Sequence, residues 1–216
     1  MQVQFIEGIF YVFVLIMSVV IHEVAHGYSA YLLGDNTARL SGRLTLNPLK
    51  HLDLFGSVIL PLLLILSNTG FIIGWAKPVP YNPLNLRKGR LGEFIVSFAG
   101  IAANLSIAII FGLLIRFAPS LGIPLYSASS MAPHPFYAIA SIIVIMNLVL
   151  ALFNLIPIPP LDGSKILFSF LPARFRFIES FLEQWGIFLL IIFIVFVWKF
   201  VSPFIFIAFR FLTGLG

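Results

Sequence analysis

Residues 9–33 read IFYVFVLIMSVVIHEVAHGYSAYLL. Apart from its centre this run is an ordinary membrane span, because about 20 apolar residues rising 1.5 Å each cross a hydrocarbon layer of about 30 Å. The centre carries His22, Glu23 and His26. A charge in the middle of such a helix costs about 2.5–3.5 kcal/mol on insertion scales, so three ionisable groups there require a compensating partner.

His22 and His26 are four residues apart, so on a helix they lie one above the other on a single face, with Glu23 beside them. The pattern is His-Glu-x-x-His. In zinc hydrolases two histidines at this spacing hold the metal, and the glutamate takes a proton from water during attack on a carbonyl. The competing reading, a chance match or a pair of core histidines, is disfavoured by the insertion cost.

The whole chain has the same character. Its 216 residues are 60% hydrophobic and 10% charged, with no cysteine and a net charge of +5. The mean hydropathy is +1.08. These values exclude an ordinary soluble domain, disulfides and cysteine-ligated metal. The 13 Lys and Arg fall in short connections between apolar runs and form no continuous basic face, which points to membrane topology and not to nucleic acid. MQVQFIEG lacks the basic region of a signal peptide, so the first span is expected to be retained.

Further spans are expected near 93–117, 136–156 and 186–212. The last is interrupted by Lys199 and Pro203 and reads as one kinked span or two short pieces. Residues 54–66 are apolar but short, and they precede SNTGFIIGWAKPVPYNP, whose Gly and Pro oppose a continuous helix. A re-entrant or hairpin element bordering a cleft is expected there. The fold class is therefore an all-α multispanning membrane protein with about 4–6 transmembrane helices. It reads as a single integral-membrane domain over 1–216, with a catalytic core at about 9–171 and a C-terminal span at about 186–212.

Lys and Arg set the orientation. Arg39, Arg43 and Lys50 follow the first span, Lys77, Arg87, Lys88 and Arg90 follow the hairpin, and Lys165, Arg174 and Arg176 follow the 136–156 span, whereas 118–135 holds no Lys or Arg. The basic connections belong in the cytoplasm, and the N-terminus and 118–135 belong outside.

A catalytic zinc needs a third protein ligand and an open position. A further histidine six residues beyond His26 is ruled out, because that position is Leu32. Of the eight acidic residues, Asp162 in NLIPIPPLDGSKIL is the one in a constrained apolar setting directly after a span, at the cytoplasmic depth of His22 and His26. Two alternatives stand beside it. Asp162 could simply cap a helix starting near Ser164, and His51 and Asp53 in NPLKHLD are rival ligands, although a solvated basic loop accounts for them. Asn104, Asn147 and Asn154 are amides at or near membrane depth that need partners, whether other helices, an oxyanion or a substrate backbone. Asn147 reads as interhelical glue, Asn154 as functional and Asn104 as either. The KPVPYNP segment is extended and serves either to pair with an unwound substrate strand or as a cavity wall.

HEVAHGYSA in the first span, together with NLIPIPPLDG after a later one, resembles the site-2 protease family of intramembrane zinc metalloproteases, peptidase family M50. LNPLKHLD, GWAKPVPYNP and FAGIAANL resemble signatures of its small prokaryotic branch without PDZ or CBS domains, and the likeness covers most of 15–170. The chain reads Ala-Gly-Ile-Ala-Ala-Asn where Ala-Gly-Pro-x-Ala-Asn is usual, with Asn104 in place. The resemblance implies Zn²⁺ held by His22, His26 and Asp162, Glu23 as general base, and Asn154 near the metal, with Asn104 as further substrate or oxyanion support. It also implies hydrolysis of peptide bonds in or near transmembrane segments of other membrane proteins. The expected setting is the cell (inner) membrane with the active site towards the cytoplasm, and the expected partners are substrate spans and the lipid bilayer, with no nucleic acid. The alternative is a zinc transporter or metal-sensing membrane protein. A transporter needs ligands on both sides of the midplane, and the external half carries hardly any.

Overall fold

The computed structural model describes residues 2–59, 77–126 and 134–215, together with Leu63 and Ser67. Helix α1 (Gln2–Leu32) is followed by the single turn α2 (Thr37–Leu40). Helices α3 (Arg90–Phe117) and α4 (Pro135–Asn154) come next, and then the short α5 (Asp162–Phe170). Helix α6 (Arg176–Ile192) continues through a π-helical turn, Phe193–Val197, into α7 (Trp198–Thr213). Gly8–Leu32, Arg90–Leu121, Pro135–Asn154 and Arg176–Thr213 are long and apolar enough to cross a membrane. The protein is an all-α multispanning membrane protein, and no β-strand forms among the described residues. The expected hairpin falls largely on 60–76, which lies outside the described residues except for Leu63 and Ser67. The described Leu54–Ile59 forms a π-helical turn.

The C-terminal span is one continuous helix through a π-helical turn, with Lys199 and Pro203 both inside it. Pro203 lacks an N–H and crowds the carbonyl four residues earlier, and the helix widens into its π turn just upstream. At 38 residues this helix is about 57 Å long, more than a bilayer needs. Arg176, Glu179 and Glu183 cluster at its start, so the membrane portion begins after them.

Helix α3 is central and packs against α1, α4, α5 and α7. Its distal half forms a dry cluster in which Ala108 and Ile115 meet Ala140, Val144 and Leu148 of α4 and Ile205 of α7. The small side chains let the helices approach closely. Its other half is polar inside. The Asn104 side-chain amide donates to Asn147 Oδ1 at 2.8 Å and to the Ser18 carbonyl at 3.3 Å. Asn147 in turn donates to Ser18 Oγ at 3.0 Å and to the Ile143 carbonyl at 2.9 Å. Three helices are thereby pinned in register, and Asn147 is the interhelical glue expected of it.

Helix α1 stops at Gly34, whose φ of +105° suits glycine. Asp35, with no exposed surface, then gathers the chain. Its Oδ1 accepts from the Thr37 N–H at 3.2 Å, the Thr37 hydroxyl at 2.6 Å and the Asn85 amide at 2.9 Å. Its Oδ2 accepts from the Asn82 N–H at 2.8 Å. The Arg87 N–H donates to the Leu33 carbonyl and the Lys77 N–H to the His51 carbonyl, each at 2.8 Å. These bonds lay the extended segment 77–82 back along the C-terminal end of α1.

Candidate metal centre

Helix α1 turns both histidines towards α3. His26 Nδ1 lies 2.7 Å from the Val96 carbonyl, and His22 Nδ1 lies 2.6 Å from Asn104 Oδ1. A carbonyl only accepts, and Asn104 has already turned its nitrogen towards Ser18 and Asn147, so this network assigns a proton to both Nδ1 atoms. In neutral imidazoles the two Nε2 atoms then carry lone pairs. They are 2.9 Å apart, and Asp162 Oδ2 sits 2.9 Å from one and 3.0 Å from the other.

Three acceptor atoms thus form a nearly equilateral triangle in a buried setting, where they repel one another unless a cation lies among them. Tetrahedral zinc with bonds of about 2.0–2.1 Å requires ligand atoms about 3.3 Å apart, a few tenths of an ångström wider than this triangle. Two imidazoles and one carboxylate are also the donor types that zinc accepts. The residues fit such an ion. Among the described residues this is the group of three ligating side chains able to hold one.

Local backbone features build the triangle. A Cβ on Gly100 of α3 would stand 2.5 Å from His26 Nε2 and 2.6 Å from His22 Cε1, so only glycine lets both imidazoles seat against α3. Gly163 plays the same part for Asp162, since a Cβ there would collide with the Leu155 and Ile156 carbonyls. Helix α5 begins at Asp162 itself without a side-chain cap. The carboxylate is turned instead to the histidines through Oδ2 and to Lys165 Nζ, 3.9 Å from Oδ1. The capping alternative for Asp162 is not what the structure adopts.

Beside the triangle lies a cavity of about 140 Å³, bordered by Glu23, Val79, Tyr81, Ser97 and Asn154 as well as His22, His26 and Asp162. That is room for about four or five waters. A larger groove of about 300 Å³ along α7, between Ser202 and Arg210, holds no imidazole or carboxylate, so size does not mark the site. Glu23 is half-buried, and its Oε2 accepts the Val79 N–H at 2.8 Å. The extended 77–82 segment is thus a wall of the cavity. Its N–H groups at Lys77, Val79 and Asn82 are engaged, and Pro78 and Pro80 have none, which leaves its carbonyls and the Tyr81 N–H as its pairing groups.

Asn154 faces this cavity and donates to the Leu150 carbonyl at 3.0 Å. Asn104 does not face it. With 0% exposure it sits behind His22, its oxygen and nitrogen already engaged, so substrate or oxyanion contact is not its place. The expectation of a solvated loop around His51 is also corrected, because His51 is only 1% exposed. Its Nε2–H donates to the Thr45 carbonyl at 2.8 Å. Asp53 Oδ1 accepts the N–H groups of Phe55 and Gly56 at 3.1 and 2.7 Å. The pair stands apart from the triangle. Sequence reasoning missed Val96, Gly100 and Ser97. Their signal was the spacing of Ser97, Gly100 and Asn104, which share one face of α3.

Comparison with known proteins bears on this centre. The model of peptidase family M50 matches residues 119–197, which include Asn154 and Asp162. "Putative zinc metalloprotease YwhC" of Bacillus subtilis is 42% identical over 192 residues, 89% of this chain and 80% of that protein. "Putative zinc metalloprotease Rip2" of Mycolicibacterium smegmatis is 30% identical over 83% of this chain and 64% of its own length. The Rip2 protein of Mycobacterium tuberculosis is 27% identical over 68% of this chain and 52% of its own. The chain therefore spans between half and two thirds of the Rip2 proteins. No solved structure matches it.

Proposed function

The chain belongs to peptidase family M50, and from that premise we propose that it is an intramembrane zinc metalloprotease whose zinc is held by His22, His26 and Asp162. The observation that carries the ligand set is the triangle of three buried acceptor atoms with sides of 2.9, 2.9 and 3.0 Å. Zinc in such a site supplies Lewis acidity, making water nucleophilic near neutral pH and polarising a peptide carbonyl.

The chain's own residues do the rest. Glu23 takes a proton from the water whose oxygen bonds to the carbonyl carbon, and returns it to the amide nitrogen as the C–N bond breaks, leaving a carboxylic acid and an amine. The Val79 N–H holds one of its oxygens, so the other is aimed for proton transfer. Asn154 offers an amide to the substrate across the cavity. Asn104 orients His22, the role of a hydrogen-bonded partner behind a ligand. The substrate is a transmembrane segment of another membrane protein, which must unwind locally, since a carbonyl within an intact helix is already hydrogen-bonded. Residues 9–171 supply these groups, and the C-terminal helix buttresses α3 and α4.

The site faces the cytoplasm of the cell membrane in this reading, because the basic connections cluster at its end of the helices. A cysteine at the exposed Ser120 should be labelled from outside intact cells by an impermeant reagent, and one at the exposed Ser41 should not. The reverse pattern would invert the topology. The decisive experiment is gel-based cleavage of a single-span substrate by wild type, chelator-treated protein and Glu23→Gln, with zinc measured in parallel. Glu23→Gln should keep zinc and lose about 10²- to 10⁴-fold in rate. Cleavage at the wild-type rate would remove Glu23 from the mechanism, and zinc flux without peptide products in wild type would favour a transporter.

A further inference from the structure

We infer that Ser97 is a further catalytic residue of this centre, its hydroxyl donating a hydrogen bond to the substrate carbonyl oxygen as negative charge develops there. The inference rests on the proteolytic reading of the site.

Position is the first ground. Helix α3 meets the histidines at three successive levels: the Val96 carbonyl holds His26, Gly100 lies against both imidazoles, and Asn104 holds His22. Ser97 lies on the same face as Gly100 and Asn104, three residues before the one and seven before the other. It therefore continues the histidine-facing stripe by one turn, and it borders the same cavity as Glu23 and Asp162.

The second ground is an unmet hydrogen bond. Ser97 is 1% exposed, and its Oγ has no hydrogen-bond partner. A helical serine commonly folds its hydroxyl back onto a preceding carbonyl. Ser106 does so to Ala102 at 2.7 Å, and Ser164 to Leu161 at 2.7 Å. Ser97 does not. A buried hydroxyl left unpaired is destabilising and needs an explanation, and a ligand that arrives only during the reaction is one.

The third ground is which donors remain in the cavity. Both Nδ1–H groups and the Val79 N–H are engaged. The carboxylates only accept, and one Asn154 amide hydrogen is committed to Leu150. The Lys165 ammonium and the Tyr81 hydroxyl border the cavity from its other walls, and Ser97 is the fully buried donor on the α3 wall. Donors aimed at a developing oxyanion act most strongly where water is excluded.

The test uses the full-length, zinc-loaded protein as wild type, Ser97→Ala and Ser97→Thr. Four quantities are read: melting temperature, affinity for acetohydroxamate as a small zinc-ligating oxyanion, and kcat and KM on a single-span substrate. Ser97→Ala should hold zinc and melt at the wild-type temperature or above it. It should bind acetohydroxamate about tenfold more weakly and lose about 10²-fold in kcat with little change in KM. Ser97→Thr, which keeps the hydroxyl, should recover acetohydroxamate affinity. A lower melting temperature or failure to fold in Ser97→Ala would mean that the hydroxyl is structural, and unchanged acetohydroxamate affinity would mean that it does not face the site. Either result overturns the inference. If wild type cleaves no substrate, the proteolytic reading fails, while the acetohydroxamate comparison still decides whether Ser97 serves an oxyanion at the metal.

Discussion

The chain carries two histidine-and-aspartate groupings that look alike in sequence, His22–His26 with Asp162 and His51 with Asp53, and they end in opposite chemical states. In the first, each Nδ1 proton is taken by the protein, by Val96 and by Asn104. Both Nε2 lone pairs are thereby free to converge on Asp162. In the second, the Nε2–H of His51 is given to a backbone carbonyl, and Asp53 accepts backbone N–H groups of the turn that follows it. Burial of the imidazoles does not separate the two, since His51 is as buried as His22 and His26. The difference is which atoms are left over once the protein's own hydrogen bonds are made.

That contrast is broken most directly by deletion. His22→Ala and Asp162→Ala should each reduce zinc from about one ion per chain to almost none, because three-ligand sites tolerate little loss. His51→Ala should retain zinc even where it lowers stability. Elemental analysis of the purified variants decides it, and full zinc occupancy in Asp162→Ala would transfer the ligand role elsewhere.

A smaller effect is expected one layer back. Asn104→Ala removes the acceptor that holds the His22 tautomer, and zinc affinity should fall about 10- to 100-fold, read by competition with a chelator of known affinity. Unchanged affinity would mean that packing against α3 alone orients the ring. Gly100→Ala should weaken binding as well, by pushing the imidazoles off α3.

The last effect concerns Asp35, which with Asp162 is one of the two buried acids among the described residues and is fully satisfied by the protein. Burial alone would push its carboxyl up, but the hydrogen bonds from Asn85, Thr37 and Asn82 outweigh that and hold it below the usual carboxylate value. Its stabilisation is therefore complete above about pH 4, the unfolded value, and is lost as pH falls through the lower folded value. Asp35→Asn should cost about 1–3 kcal/mol at neutral pH and flatten the decline of melting temperature in acid. Equal slopes in wild type and variant would show that the carboxylate charge contributes nothing.

Much of this was legible from residue order. The membrane class, four spans, the shared face of His22 and His26, and Asp162 as the favoured third ligand all follow from local composition, because hydropathy and helical spacing act within about 20 residues. The C-terminal helix with its π turn was half legible, since Pro203 announces a disturbance but not whether the helix survives it. The rest depended on tertiary contacts. The bonds that set the two tautomers join residues 82 and 70 positions apart, and Asp162 reaches His22 across 140. No local pattern specifies which nitrogen of an imidazole keeps its proton, that Asn104 lies behind a ligand and not beside a substrate, that His51 is buried, or that Ser97 has no partner. Each depends on which acceptor the packing of α1 against α3 brings within about 3 Å, and that distance exists only once the helices have met.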